Sequence, residues 1–196
     1  MTMVAPHGEI YLPQPPAKGE ARPVGGVLKR VLDIVVALVA LVLLAPLLAI
    51  VAILVFVTMG NPVLCRRSRV GFGGRTIDCH RFRTTRVGGT EPTRLGQLLL
   101  ASGIAKLPQL LNVLKGEMSC VGPRPLLAGE AALQAPEAAA HFQARPGITG
   151  EWRLAAGAVR GEAAALLDSA YVDNWSMRND IGILVKSLSA AGSSED

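Results

Sequence analysis

Aromatic residues and cysteine are scarce in this chain. Phenylalanine, tryptophan and tyrosine together make up 4% of the sequence, too few for an aromatic surface on which nucleic-acid bases stack. The net charge of +5 therefore points to lipid headgroups or a phosphate-bearing small molecule, and no nucleic acid is expected. Three cysteines, Cys65, Cys79 and Cys120, are odd in number and lack metal-ligand spacing. They predict reduced thiols in the cytoplasm.

Charge is absent from the apolar run between Ile34 and Val57. As one straight helix this run would measure about 36 Å, enough to cross a hydrocarbon core of about 30 Å. Pro46 lies near its midpoint, removes a backbone donor and predicts a kink at Ala45 and Pro46. The run is therefore the membrane element.

Basic residues on both flanks balance the charge bias that normally orients a spanning helix. One alternative is a spanning helix kinked by proline. The other is a re-entrant hairpin, which keeps both flanks at the anionic cytoplasmic leaflet, and we favour it. The flanking residues are Lys18, Arg22, Lys29 and Arg30 before the run and Arg66, Arg67, Arg69 and Arg75 after it.

The remaining length sets the domain organisation. Residues 1–26 are rich in proline and predict a flexible leader, 27–60 the re-entrant anchor, 61–190 one cytosolic domain and 191–196 a tail. About 140 residues lie outside the leader and anchor, enough for one modest globular domain. The predicted fold class is α/β and predominantly helical, with a membrane hairpin kinked at Pro46 and interfacial helices in the small domain.

Two extended segments, 63–69 and 76–82, are joined by a glycine-bearing turn at 71–74 and predict a pair of short strands. This part of the chain is very basic. Planar guanidinium groups suit phosphate and pyrophosphate recognition, whereas a solvated face lying on anionic lipid explains the composition equally well. The arginines concerned are Arg66, Arg67, Arg69, Arg75, Arg81, Arg83 and Arg86.

Helices are predicted from near Leu95, from Leu107 to the stop at Gly116, over 130–142 and over 162–173. Ser176 is a predicted cap for a last helix with an apolar stripe. Arg124 lies between two prolines, which restrict the backbone and present its side chain in one direction.

These pieces occur in an order that resembles the bacterial sugar transferases, the small monotopic polyprenyl-phosphate phosphoglycosyl transferases, and in particular the ExoY-like kind. The resemblance covers residues from about 25 to 190, and its specificity comes from the order of the motifs. The matching motifs are Lys29-Arg30 with Asp33 before a proline-kinked run, Arg69-Val70-Gly71, Arg81-Phe82-Arg83-Thr84, Leu107-Pro108-Gln109-Leu110 with 112–119, Val121-Gly122-Pro123-Arg124-Pro125, 146–150 and 171–176.

The resemblance implies a protein at the cytoplasmic face of the bacterial inner membrane. It implies transfer of a sugar phosphate from a nucleotide-diphosphate sugar to undecaprenyl phosphate, with Mg²⁺. It also assigns the chemistry to an aspartate nucleophile and an adjacent metal-binding glutamate, immediately before the Leu-Pro-Gln motif. The residues that it implies for substrate and phosphate binding are Arg69, Arg81, Arg83, Arg124, Asp168 and Asp180.

The chain departs from the family at the implied dyad. Ala105 and Lys106 occupy these two positions. Alanine has no nucleophile, and a lysine ammonium repels Mg²⁺ instead of binding it. The expected Mg²⁺ thus lacks its ligand, although Lys106 has the charge to neutralise a pyrophosphate directly.

Three functions remain open on the sequence. The first is a sugar-transferase homologue of exopolysaccharide assembly with catalysis lost or much reduced, which binds prenyl phosphate, nucleotide sugar or an active transferase of its own family. The second is an active transferase that uses another carboxylate, with Glu117, Asp168 and Asp180 as candidates. The third is a non-catalytic membrane scaffold or regulator of polysaccharide assembly proteins.

Overall fold

The computed structural model describes residues 22–133, 142–155 and 162–192. Most of the predicted leader, the end of the predicted 130–142 helix and the last four residues of the tail lie outside these ranges. The described chain is mainly helical, as predicted, and has two small sheets, of which the sequence predicted the first strand pair only. Its helices are α1 Gly26–Met59, α2 Arg94–Ala101, α3 Leu110–Lys115, α4 Ala128–Leu133, α5 Glu151–Leu154, α6 Glu162–Asp173 and α7 Met177–Gly192, and its strands are β1 Leu64–Val70, β2 Thr76–Phe82, β3 Ser119–Val121 and β4 Gly147–Thr149.

The long apolar run forms α1, a helix of 34 residues that begins after Gly25 and ends at Gly60. It is long and apolar enough to cross a membrane by length and composition. Helical structure continues through Pro46. The hairpin and its kink at Ala45 and Pro46 therefore stay predictions.

One stripe of α1 packs against the rest of the protein along the helix. Residues at four-residue spacing are buried near both ends, and half-buried residues continue the stripe between them. The opposite face is exposed and apolar; Val42 and Leu43 are each 76% exposed. The buried members are Lys29, Asp33, Ala37, Val51, Val55 and Met59.

The predicted strand pair is confirmed as an antiparallel hairpin, β1 with β2. A short 3-10 turn, Phe72–Gly74, joins the strands. In the register Cys65 pairs with Arg81, Arg67 with Cys79 and Arg69 with Ile77. Paired side chains project from the same face, so three arginines of the hairpin share one face.

A 3-10 segment, Ile104–Gln109, connects α2 to α3 and places the Leu-Pro-Gln motif beside β2. The helix predicted to stop at Gly116 does so, since Gly116 adopts φ 85° after Lys115. Asn112 is fully buried; its amide nitrogen donates to the Asp78 carbonyl at 2.8 Å, and its oxygen accepts from the His80 backbone N–H at 3.0 Å. This side chain links α3 to β2.

The parallel pair β3–β4 brings the loops after Val121 and Thr149 together. The helix predicted over 162–173 is α6, and the Ser176 hydroxyl accepts from the Asn179 backbone N–H at 3.2 Å, as a cap of α7 does. The sequence predicted an apolar stripe of Ile181, Leu184, Val185 and Leu188 on α7, and this prediction is wrong. Ile183 is the buried apolar residue, whereas Ile181, Val185 and Leu188 are exposed, because the side of α7 that carries Asp180 and Ile183 packs against the protein.

Candidate functional site

A pocket of about 120 Å³ opens where the β1–β2 hairpin faces the 3-10 segment and the loops that follow β3 and β4. Most of its long side chains are cationic. The lining residues are Arg67, Arg69, Cys79, Arg81, Lys106, Gln109, Arg124, Pro125, Gly147, Ile148 and Trp152.

The hairpin supplies three of the cations, Arg67, Arg69 and Arg81, because its register puts them on one face. Burial lowers the pKa of Arg69, and Arg67 and Arg124 act in the same direction, while Cys79 and Glu130 partly offset the shift. Burial and the nearby Arg67 and Arg69 likewise lower the pKa of Arg81. The unliganded pocket thus disfavours the charges that it assembles.

Lys106 enters the pocket from the 3-10 segment. Its ammonium nitrogen lies 5.4 Å from the centroid of the Trp152 ring, within range of a cation–π interaction. Burial lowers the Lys106 pKa to about 8, and Arg153 and Arg81 lower it in the same direction. Among the described residues no carboxylate forms an ion pair with this ammonium.

Ala105, the other dyad position, is fully buried and does not line the pocket. It belongs to an apolar cluster that includes Val55 and Met59 of α1 together with Phe82 and Leu99. Ala105 and Lys106 are adjacent in the 3-10 segment, yet Ala105 packs in the core beside α1 whereas Lys106 enters the pocket.

Arg124 lines the pocket as the arginine between two prolines. Its Nη2 donates to Glu130 Oε1 at 2.8 Å. Its backbone N–H lies 3.3 Å from each carboxylate oxygen of Asp168. Asp168 therefore contacts the main chain of this loop, and it is not a lining residue.

Trp152 is fixed by its indole N–H, which donates to the Gly122 carbonyl at 3.1 Å. A Cβ at Gly150 would lie 2.3 Å from that carbonyl oxygen and 2.6 Å from the indole nitrogen. Only glycine fits this close approach. The Gly-Ile-Thr-Gly motif thus serves to seat the tryptophan beside Lys106.

Asp180 lies elsewhere, in a buried network between α1 and α7. Its carboxylate accepts from Lys29 Nζ at 2.6 Å, Tyr171 Oη at 2.7 Å and Trp175 Nε1 at 3.0 Å. Burial and the neighbouring Asp180 charge raise the pKa of Tyr171. Asp33, which lies close to Lys29 and Arg30 in the sequence, accepts from the Ser119 hydroxyl at 2.8 Å and from the Cys120 backbone N–H at 2.9 Å.

The residues predicted to bind substrate therefore fall into two groups, those that line the pocket and those that lie outside it. Arg69, Arg81 and Arg124 meet in the pocket with Lys106. Arg83 points away from this set, and its guanidinium donates to the Asn61 carbonyl at 3.1 Å.

Glu117, a candidate replacement carboxylate, accepts from Asn112 Nδ2 at 2.6 Å and lies outside the pocket lining. Asp168 and Asp180, the other two candidates, also lie outside it. Among the residues that the structure describes, the lining thus offers no carboxylate nucleophile.

Trp152 and Gln109 line the pocket without having been predicted to do so. Arg67 was named only within the arginine group. The alternation of Arg67 and Arg69 on one strand was the available signal for Arg67, since residues two apart share a face. For Trp152 the signal was its position directly after the glycine-bearing 146–150 loop.

Comparison with known proteins gives a consistent result. A profile of the family described as "Bacterial sugar transferase" matches residues 24–193. The chain is 33% identical over 209 residues to the exopolysaccharide production protein ExoY of Sinorhizobium fredii, with 92% of each chain covered. It is also 33% identical over 204 residues to ExoY of Rhizobium meliloti, with 90% of each chain covered. The similarity extends to a UDP-glucose:undecaprenyl-phosphate glucose-1-phosphate transferase of Caulobacter vibrioides, 36% identical over 183 residues that span 82% of this chain and 68% of the relative.

Proposed function

Because this chain belongs to the bacterial sugar transferase family, we propose that it is a membrane-anchored protein of exopolysaccharide assembly that binds phosphate-bearing substrates of that family but transfers sugar phosphate slowly or not at all. The substrates proposed are a nucleotide-diphosphate sugar and undecaprenyl phosphate, which the names of the relatives include. The carrying observation is a cationic pocket that Lys106 lines, while Ala105, at the other position of the implied dyad, packs in the apolar core.

The chemistry of these two residues supports the loss of transfer. Attack on phosphorus needs a nucleophile close to the bound phosphate, and Ala105 has none. Phosphoryl transfer depends mostly on positioning and on stabilising the charge of the transition state. Cations still supply charge stabilisation, but without a nucleophile they favour binding over turnover.

The packing of α1 supports a monotopic anchor. Near its start, Lys29 pairs with Asp180, and the Arg30 guanidinium donates to the carbonyls of Val113 and Leu114. Near its end, Val55 packs in the apolar cluster with Ala105. Both ends thus contact the same globular body, whereas a spanning helix would place them on opposite sides of the bilayer.

Exposed leucines on α2 and α3, Leu98, Leu100 and Leu111, support interfacial placement of these helices beside the anchor. The axes of α2 and of the following segment, 104–115, differ by 69°. With both basic flanks of α1 on one side, we propose the cytoplasmic face of the inner membrane as the location.

A transfer assay tests the catalytic part of this proposal. Purified full-length protein in phospholipid nanodiscs receives labelled UDP-glucose or UDP-galactose and undecaprenyl phosphate, and the Caulobacter relative serves as the active control. We expect transfer slower by about 10²–10³-fold or more, the scale of losing one catalytic group. A rate comparable to that of the control would refute the loss of catalysis.

A further inference from the structure

The Mg²⁺ that the family implies does not fit this pocket. Mg²⁺ binds through carboxylates and substrate phosphates in octahedral geometry, and no described residue that lines the pocket is an aspartate or a glutamate. The two acids nearest Arg124 are occupied, Glu130 with its guanidinium and Asp168 with its backbone N–H. Over residues 22–133, 142–155 and 162–192, no three His, Cys, Asp or Glu side chains form a metal-binding group.

The pocket lining is instead strongly cationic, and most of its positive charges form no ion pair with a carboxylate among the described residues. It contains four arginines and Lys106, and within the described residues only Arg124 among them forms an ion pair. Burial lowers the pKa values of Arg69, Arg81 and Lys106, and the charges of neighbouring arginines lower each of them in the same direction, although Cys79 and Glu130 partly offset the shift of Arg69. A bound anion would offset this repulsion, since opposite charge nearby favours the charged forms.

Lys106 is the group best placed to take over the metal's charge. It follows directly after the position of the implied nucleophile, and its ammonium is held beside the Trp152 ring. Its backbone N–H donates to the Gly103 carbonyl at 3.0 Å, which anchors the base of the side chain. Gln109, on the same 3-10 segment, adds a neutral amide to the lining.

We propose that this pocket binds a phosphate or pyrophosphate group without a divalent metal, with the Lys106 ammonium supplying positive charge that Mg²⁺ supplies elsewhere. The inference rests on the proposed function, which names two sources for this group, a soluble nucleotide-diphosphate sugar and a membrane polyprenyl phosphate. At about 120 Å³ the pocket is small beside typical ligand sites of about 300–1,000 Å³. It suits the phosphate groups, with the remainder of either ligand outside.

Titration calorimetry on the full chain in nanodiscs tests the inference, with inorganic pyrophosphate and UDP-glucose as probes. Each titration is run once in EDTA and once in Mg²⁺. We expect binding in EDTA and an affinity no tighter in Mg²⁺, because no lining carboxylate is available to hold the metal. Nanodiscs with and without undecaprenyl phosphate separate the two sources, since a lipid phosphate that occupies the pocket must weaken pyrophosphate binding.

The matched variants are Lys106→Met and, as the control for losing one positive charge, Lys186→Met at an exposed position on α7. We expect Lys106→Met to weaken metal-free binding about 10- to 100-fold, the effect of losing one charge-assisted hydrogen bond, and Lys186→Met to leave it unchanged. Unaltered thermal unfolding of Lys106→Met, or unfolding at a higher temperature, shows that the loss is not misfolding.

The remaining outcomes separate three statements: the metal-free site, the proposed function and the loss of catalysis. Binding that requires Mg²⁺, or that survives Lys106→Met undiminished, overturns the metal-free site and leaves the proposed function standing. Absence of binding by both probes and by undecaprenyl phosphate overturns the two together. Metal-free binding combined with an ordinary transfer rate preserves the site and refutes only the loss of catalysis.

Discussion

At the scale of single residues, Ala105 and Lys106 stand where the family resemblance implies an acidic dyad, and Lys106 brings a positive charge to the pocket. An ammonium beside several arginines costs free energy in the unliganded protein, and the lowered Lys106 pKa of about 8 reflects this cost. A residue that is unfavourable in the free protein yet stabilised by a bound anion fits a role in binding better than a role in folding.

The Lys106 pKa predicts a pH dependence of binding and stability. Near pH 8 the free ammonium is partly deprotonated, so anion binding there should take up a proton, whereas binding near pH 6.5 should not. Calorimetry of UDP-glucose binding in buffers of different ionisation enthalpy measures this uptake, and Lys106→Met should abolish it. The charged groups around Lys106 are Arg153, Arg81, Arg124 and Arg69, with Arg67 also lining the pocket.

Stability should change with pH in a defined direction. The folded-state pKa of Lys106 lies below the unfolded value of 10.5, so between about pH 8 and 10.5 the unfolded chain binds more protons. The Lys106 contribution to the free energy of unfolding of the ligand-free protein should therefore increase, and so stabilise the fold, as pH rises through this range. Comparing denaturation of the wild type with that of Lys106→Met isolates the contribution, and identical pH profiles would contradict the assignment.

Ala105 supports a separate prediction. Ala105→Asp would place a carboxylate in the apolar cluster between α1 and α2, and an uncompensated buried charge costs about 3 kcal/mol or more. Thermal unfolding in one detergent should show this loss, with Ala101→Asp at an exposed position of α2 as the control. For the same reason we expect Ala105→Asp combined with Lys106→Glu not to restore transfer. Recovery of turnover would show that the rest of the catalytic site is still assembled.

At the scale of elements, the first turns of α1 are attached to the domain by polar contacts. Lys29 is 3% exposed and Asp180 is fully buried, and their 2.6 Å contact joins α1 to α7. The Arg30 guanidinium donates to the carbonyls of Val113 and Leu114 in the last turn of α3, where carbonyls lack partners from a following turn of helix. The helix that anchors the protein is thus also part of its core.

Lys29→Met should destabilise the protein by about 3 kcal/mol or more, because the Asp180 carboxylate stays buried without its cation. The unfolding midpoint in a fixed detergent measures the loss, and Lys115→Met, at an exposed site, should change stability little. Adding Asp180→Asn to Lys29→Met should recover part of the loss, because the unpaired charge is then removed. No recovery would argue against the ion pair as the cause.

At the scale of the whole molecule, the packing of both ends of α1 on one body bears directly on membrane topology. The face opposite this contact carries exposed apolar residues such as Val42, Leu43 and Val57. Lipid is the environment that best suits this face. A monotopic protein would then hold the cationic pocket at the membrane surface, within reach of a lipid-linked phosphate.

Cysteine labelling tests this topology. Arg22 and Ser68 are exposed and lie before and after α1, so Arg22→Cys and Ser68→Cys report the side of each flank. The half-buried Cys65 is first replaced by serine. In sealed inner-membrane vesicles, an impermeant maleimide should label both positions from the cytoplasmic side. Labelling of only one position would establish a spanning helix instead.

Much of the architecture followed from local patterns. The strand pair, the helices at 94–101 and 162–173 and the stop at Gly116 depend on periodicity and turn chemistry within a few residues, and the structure confirms them. Arg69, Arg81 and Arg124, each in a motif of the family, line one pocket, and their role in phosphate binding stays a prediction. The residues next to Asp180 do not indicate whether its carboxylate lines the pocket or is buried against a distant cation. In the structure it pairs with Lys29, which lies 151 residues away in the sequence.

The sequence by itself determined the apolar helix, the strand pair and the family, because each is written in contiguous residues or in the order of short motifs. Only the tertiary structure decided which charged side chains line the pocket and which form buried ion pairs, because burial and pairing depend on residues far apart in the chain. It directed Ala105 to the core and Lys106 to the pocket, although they are neighbours, and it seated Trp152 beside the ammonium. The physical reason is that adjacent side chains on a tight 3-10 segment project in different directions, and the packing of α1 against one side fixes which of them enters the cavity.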